Sequence, residues 1–305
     1  MNGVQASGAG EVDSLLGRPD PWPAPGKLNL FLHVTGRRPD GYHLLQTAFQ
    51  FIDLSDELRF WRRPPGVVER LTDLPGVPAE QDLCVRAARL LAADASNGLP
   101  GVAIEVLKRL PMQGGVGGGS SDAATVLVAL NQLWGLGKAS DELARLGLAL
   151  GADVPVFVHG RAAWGEGVGE RLTPLDLPEP VFLLVRPDAT VGTAEVFKAP
   201  ELTRDSAAIT IRGFLLTGGR NDCEPVVRRR FPAVAEALDW LGQFAPARLT
   251  GTGSCIFAAL PDEARAREVL GQLPRRWTGY VVRGLNRSPL AARLQLEQGG
   301  VGPGR

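Results

Sequence analysis

Leu110-Pro-Met-Gln-Gly-Gly-Val-Gly-Gly-Gly-Ser-Ser-Asp-Ala-Ala124 decides how this chain is read. Five of the six residues from 114 to 119 are glycine, so the backbone there can approach a bound group closely and turn its amide donors toward it. Upstream, Val102-Ala-Ile-Glu-Val-Leu107 has the composition of a strand. Downstream, residues 123–133 read as a helix, with Ser120, Ser121 and Asp122 as candidate N-caps. Strand, glycine loop and helix N-terminus together form an anion site, because free amides and the positive end of the helix dipole face the ligand. A flexible linker is the bland alternative, but linkers rarely run straight into an apolar helix.

The loop also excludes familiar classes. No Gly-Lys-Ser/Thr follows it, so it is not a P-loop, and its spacing does not give the dinucleotide fingerprint Gly-x-Gly-x-x-Gly. The strand lysine and His-Arg-Asp loop of protein kinases are absent as well.

Composition sets the bounds. The 305 residues suit one large or two medium domains, and 44% hydrophobic with 22% charged residues is globular. The formal net charge is zero and no basic run suggests a nucleic-acid partner; Arg228-Arg-Arg230 reads as a solvated helix face. Three cysteines far apart, with three histidines at no metal-binding spacing, fit a reducing compartment. No signal peptide or bilayer-length apolar run is present, so the expected location is cytoplasmic, with no membrane partner.

Residues 1–22 read as a disordered leader. From Lys27, Leu28, Leu30, Leu32 and Val34 alternate with Lys27, Asn29, Phe31 and His33, which predicts a strand with one face in the core. A turn spans residues 36–41, and further strands are expected at 44–53 and 56–62. Helices are expected over 82–93, behind an Asp82 cap, and over 140–150. After a Pro-rich boundary near 175, strands at 181–186, 254–260 and 279–283 alternate with helices around 225–244 (broken at Pro232) and 261–273. This pattern predicts a second half of split βαβ type. The domains are therefore 23–175 and 176–293, with a flexible tail from 294 to 305.

Four groups of residues are candidates for chemistry. Lys27 opens a strand after a Pro-Gly turn and shares its face with Asn29, where a fixed ammonium can stabilise developing charge. Asp153, in Gly151-Ala-Asp-Val-Pro-Val-Phe157, reads as an N-cap with proline in the first turn. The same carboxylate, partly desolvated, can also serve as a base. Tyr42 and His43 follow the Asp40-Gly41 turn, and taken alone they are more often a packed ring and a satisfied imidazole. Leu249-Thr-Gly-Thr-Gly-Ser254 is a second glycine turn, a weak signal unless it packs against the first.

Pro25-Gly-Lys-Leu-Asn29, Pro111 to Ser121 and Leu249 to Ser254 together resemble the three motifs of the GHMP kinases, small-molecule kinases without a P-loop. Further blocks point to one branch of that superfamily: Arg38-Pro-Asp-Gly-Tyr-His43, Gly151 to Phe157, Glu166-Gly-Val-Gly-Glu170, Asn221-Asp-Cys-Glu224 and Asn286-Arg-Ser-Pro-Leu290. That branch uses ATP to phosphorylate the 2-hydroxyl of a cytidine diphosphate-linked methylerythritol in non-mevalonate isoprenoid synthesis. The resemblance covers roughly residues 22–293. It implies an α+β, two-domain fold, with a left-handed βαβ crossover in the first domain and a ferredoxin-like second domain.

It also implies roles. Lys27 and Asp153 form the catalytic pair. Pro111, Met112, Gln113, Gly114, Gly115, Val116, Gly117, Gly118, Gly119, Ser120 and Ser121 hold ATP, with Ser120 or Ser121 as a Mg²⁺ ligand. Tyr42 and Phe197 stack on cytosine, and Asn29, His43, Lys108 and Thr193 contact the cytidine or the polyol arm. Thr250, Gly251, Thr252, Gly253 and Ser254 form the third motif. The enzyme is expected to work as a monomer or homodimer. Gly26 departs from the alanine usual before the lysine, and the leader is longer than usual. The rival expectations are another kinase of the superfamily, acting on homoserine or a sugar, and a non-catalytic nucleotide-binding protein on the same scaffold.

Overall fold

The structure, a computed structural model, describes residues 14–95 and 98–299. A long hairpin forms its spine: β1 (Trp22–Arg37) pairs antiparallel with β2 (His43–Arg63) from Trp22 opposite Leu58 to Arg37 opposite His43. Both faces of β1 are buried, against the expectation of one. Leu28 and Val34 lie in the core, while Lys27, Asn29, Phe31 and His33 are covered on the opposite side. Bulges between Pro25 and Lys27 and between Asn29 and Leu32 bend the strand at the polar residues.

The two strands expected at 44–53 and 56–62 are one. Ser55 and Asp56 break the apolar run, yet the Asp56 carboxylate is buried and accepts the amides of Arg109 at 2.6 Å and Leu110 at 2.7 Å. A polar side chain consumed in this way does not interrupt a strand.

β2 also pairs with β4 (Gly101–Leu107) and β5 (Ala163–Glu166), and β5 pairs with β6 (Arg171–Pro174). From β3 (Val68–Arg70) the chain passes through α1 (Leu83–Ala93) to the parallel neighbour β4. Asp82 caps α1 as expected, accepting from Cys84 N at 2.7 Å. Then α2 (Gly118–Leu133), α3 (Ser140–Leu148) and α4 (Val154–His159) pack with α1 over the sheet to make the first core, which includes Leu58, Ile104, Leu127 and Phe157.

The second half runs β7 (Val181–Arg186), helices α5 (Thr193–Lys198), α6 (Ile211–Thr217), α7 (Glu224–Arg230) and α8 (Pro232–Gly242), β8 (Arg248–Leu249), β9 (Ile256–Leu260), α9 (Glu263–Leu270) and β10 (Thr278–Leu285). The break at Pro232 is where the sequence puts it. The sheet order β10-β7-β9-β8, antiparallel throughout, is the fourth-first-third-second order of a ferredoxin-like split βαβ unit. β10 also pairs with β2 at Gly284 and Leu285, so one sheet runs through both halves. An apolar cluster that includes Leu28, Ile52, Leu110, Phe182 and Phe257 seals the seam.

Two terminal expectations change. Part of the supposed leader is ordered: Leu15 bridges to Trp61, Leu16 is buried, and the Leu16 amide donates to Phe60 O at 2.8 Å. Residues 1–13 lie outside the described residues. The tail expected from 294 is helical instead, since α10 (Pro289–Gly299) returns to the first half and places Leu290 in its core. Residues 300–305 lie outside the description.

Candidate functional site

The glycine loop leads from β4 into α2. The helix starts at Gly118, five residues before the expected position, and its N-cap is Gly117 at φ 76°, with no side-chain cap. Ser120, Ser121 and Asp122 therefore sit inside the first turns and cap nothing. The result is an uncapped helix start whose leading amides have no intrahelical acceptor, the arrangement that favours an anion. Glycine is required at two positions here. A Cβ on Gly115 (φ 75°) would lie 2.3 Å from Thr250 O, and one on Gly117 would lie 2.8 Å from the Phe157 ring.

The close approach at Gly115 shows that the second glycine turn does pack on the first. The Cys255 amide donates to Gly114 O at 3.1 Å, and Thr250 Oγ1 accepts the Asn29 amide at 3.0 Å. Three motifs spread over more than 200 residues of chain are thus joined by hydrogen bonds.

Lys27 lies at their junction, 2% exposed. Its ammonium donates to Asn29 Oδ1 at 2.5 Å and Gly115 O at 3.0 Å, and it faces Asp153 Oδ2 at 3.3 Å. Asp153 holds the N-cap position of α4, with Pro155 in the first turn, but its side chain makes no capping bond. The carboxylate turns toward Lys27 instead and keeps a third of its surface open. Asn29 is in turn oriented by Thr47, whose hydroxyl accepts from Asn29 Nδ2 at 2.9 Å and donates to Phe31 O at 2.5 Å.

These groups open onto a cleft of about 1180 Å³. At the phosphate-loop end, beneath Gly118, the Lys108 ammonium is clamped between the Asp56 and Asp122 carboxylates. Burial alone would lower the pKa of that lysine, but Asp122 and Asp56 outweigh it and raise it. Burial pushes Asp122 up to about 7, with Asp56 adding to the rise and Lys108 opposing it.

At the far end Tyr42 stands exposed on the rim, and His43 stacks on Phe197 with centroids 5.0 Å apart. Burial, then Arg204 and Arg37, lowers the His43 pKa. Thr193 and Thr252 share a hydroxyl contact at 3.0 Å, tying α5 to the third motif. Ser120 lies beside Gly151, whereas Ser121 is fully buried with an unpartnered hydroxyl, as is Ser254.

The cleft therefore gathers Lys27, Asn29, Tyr42, His43, Lys108, Asp153, Thr193 and Phe197 with most of the loop, while Val116, Ser121 and Ser254 are packed beneath its wall. Sequence reasoning missed Thr47, Asp56 and Arg204. Their only local signal is a polar residue in an otherwise apolar strand, or a lone arginine in a loop, and neither points to a site without the fold.

The chain is similar to known proteins over both halves. The family model described as GHMP kinases N terminal domain matches residues 82–161, and that described as GHMP kinases C terminal matches 207–279. A 4-diphosphocytidyl-2-C-methyl-D-erythritol kinase of Nitrosococcus oceani is 60% identical, over 90% of this chain and 98% of its own length. One from Alkalilimnicola ehrlichii is 60% identical over 91% of this chain and 95% of its own. A crystal structure of 4-(cytidine 5'-diphospho)-2C-methyl-D-erythritol kinase superposes with a TM-score of 0.74 at 32% identity, covering 86% of this chain and 98% of that one.

Proposed function

Since this chain belongs to the GHMP kinases and, within them, to the 4-diphosphocytidyl-2-C-methyl-D-erythritol kinases, we propose that it phosphorylates the 2-hydroxyl of 4-diphosphocytidyl-2-C-methyl-D-erythritol with ATP, in non-mevalonate isoprenoid precursor synthesis. The observation that carries the reading is the meeting of Lys27 and Asp153 at 3.3 Å beside the uncapped start of α2.

Phosphoryl transfer asks for positioning and charge stabilisation more than covalent help. The amides of residues 114–120 and the α2 dipole receive the ATP phosphates. Asp153 takes the proton of the substrate hydroxyl, or orients it for in-line attack. Lys27, held beside Asp153 by Asn29 and Gly115, stabilises the oxygen as negative charge grows there. Tyr42, His43, Phe197 and Thr193 receive the cytidine, and Asn29 helps to seat the polyol arm.

The residues present fit Mg²⁺. No group of three or more acidic, His or Cys side chains forms a metal cage among the described residues. This suits an ion that keeps its waters and binds mainly through substrate phosphates. Of the two serines, Ser120 stands beside the 151–153 loop and is the better placed ligand. When bound, the ion would neutralise phosphate charge.

Three free buried thiols, and the lack of any helix among the described residues long and apolar enough to cross a membrane, accord with work in the cytoplasm. A coupled assay of ADP release tests the reading. Turnover is expected with the diphosphocytidyl polyol and none with cytidine-free polyols, homoserine or galactose. Equal ATP consumption on a cytidine-free acceptor would favour another kinase of the superfamily, and ATP binding without turnover on any acceptor would favour the non-catalytic scaffold.

A further inference from the structure

The segment between α5 and α6 carries a guanidinium for which the mechanism above has no use. Arg204 stands on the wall of the cleft. Its Nη2 donates to the carbonyls of Phe197 at 3.0 Å and Ala199 at 2.6 Å, and its Nη1 donates to Leu202 O at 3.0 Å. Three backbone anchors leave the group no freedom to swing. Its Nε–H donates to His43 Nε2 at 3.2 Å.

A guanidinium has donors and no acceptor, and it keeps its proton in proteins. The imidazole nitrogen that faces it must present a lone pair. A neutral imidazole with its lone pair on Nε2 carries its proton on Nδ1. Phe197, stacked at 5.0 Å and 23°, fixes the plane of the ring. Among the described residues Nδ1 has no protein partner, and the ring lines the cleft.

We propose that Arg204 is a positioning residue for base recognition: by occupying Nε2 it makes His43 a donor through Nδ1–H, so the cleft takes a base edge that presents an acceptor, as cytosine N3 does, and rejects one that presents N–H, as uracil N3 does. The choice of cytosine rests on the function proposed above, whereas the tautomer does not. The charges around the ring act in the same direction. Arg204 and Arg37 are both cationic neighbours, and Asp40 on the preceding turn is occupied by Arg38. Burial and those two arginines disfavour the imidazolium, which would offer a donor at each nitrogen and place a second N–H against the guanidinium.

Nitrogen-15 NMR of the full chain, which has three histidines, reads the tautomer directly. His43 should show a protonated Nδ1 and a bare Nε2 at about pH 8, where a neutral imidazole is read. In Arg204→Met the proton should spread over both nitrogens, with the titration midpoint moving up toward 6.5. Calorimetry with CDP and UDP reads the consequence. Wild type should prefer CDP by about tenfold or more, because an N–H facing an N–H forfeits a hydrogen bond, and Arg204→Met should narrow the ratio to about threefold or less.

Arg204 also braces three carbonyls, so a second pair of variants leaves it intact. His43→Asn, whose amide nitrogen falls near Nδ1, should keep the preference. His43→Gln, whose amide can only face Arg204, should lose it. A proton on Nε2 in wild type, or a CDP to UDP ratio unmoved by Arg204→Met, overturns the proposal. The correct tautomer with equal CDP and UDP affinity overturns the selection of the base. Failure of the kinase reading would appear separately, as no ADP release with the diphosphocytidyl polyol.

Discussion

The Lys27 ammonium has three donors and meets three oxygens, on Asn29, Gly115 and Asp153, so a charge that would be costly to bury alone is fully satisfied. Asp153, by contrast, keeps one side open to the cleft. In Asp153→Asn the side chain keeps its shape but cannot accept a proton, and turnover should fall by about 10²–10³ while the thermal midpoint barely moves. Steady-state ADP release and a melting curve check both halves, and near-normal turnover removes Asp153 from the chemistry. Thr47 acts one step further back, holding the Asn29 amide so that its oxygen faces the lysine. Thr47→Val should lower kcat about tenfold with little change in KM, the scale of one lost hydrogen bond, and Thr47→Ser should restore it. An effect on KM alone would place Thr47 in substrate binding.

Among elements, β2, β4 and α2 are clamped by the buried trio Asp56, Lys108 and Asp122, with one cation between two carboxylates. Asp122 has a raised pKa, about 7 against 3.8 in its reference state, so between those values the folded chain binds the proton more strongly than the unfolded one. Its contribution to stability is complete below about pH 4 and is lost as pH rises toward 7. Asp122→Asn removes that penalty. Its melting midpoint should therefore gain on wild type between pH 5 and pH 8, by roughly 2–4 °C for each kcal/mol recovered. A gap that narrows with rising pH would mean that Lys108 keeps Asp122 ionised at no cost. The trio also explains what was legible in the sequence. The glycine loop, the Asp82 cap, the break at Pro232 and the Lys27–Asp153 pair were readable because each rests on a local signature or a family motif. The continuity of β2 was not, because Ser55 and Asp56 interrupt the apolar pattern and the partners that consume the Asp56 carboxylate lie more than 50 residues away. The start of α2 was misplaced because serines and an aspartate advertise caps, while the cap actually used is a left-handed glycine. Strands as short as β5 and β6 carry no period to detect.

Over the whole molecule, the seam between the halves is built from residues of both, and so is the cleft. Its phosphate loop belongs to the first half, while Thr252 and Phe197 belong to the second. A further tie is made where α10 packs on β1 and α2. Arg293, nearly fully buried, pairs with Glu297 at 2.6 Å, donates to Asp20 O at 3.2 Å and stacks over Trp22 at 4.4 Å. Removing one partner of a buried pair strands the other, so Arg293→Met should cost about 3–5 kcal/mol in urea unfolding. A loss below about 1 kcal/mol would mean the pair behaves like a surface contact. The position of α10 bears on how the protein is made. Trp22 and the flank of α2 are made before the second half, and the helix that covers them is made after it. While the second half is being made the nascent first half carries an apolar seat without its occupant, and holdase chaperones have that interval in which to engage it.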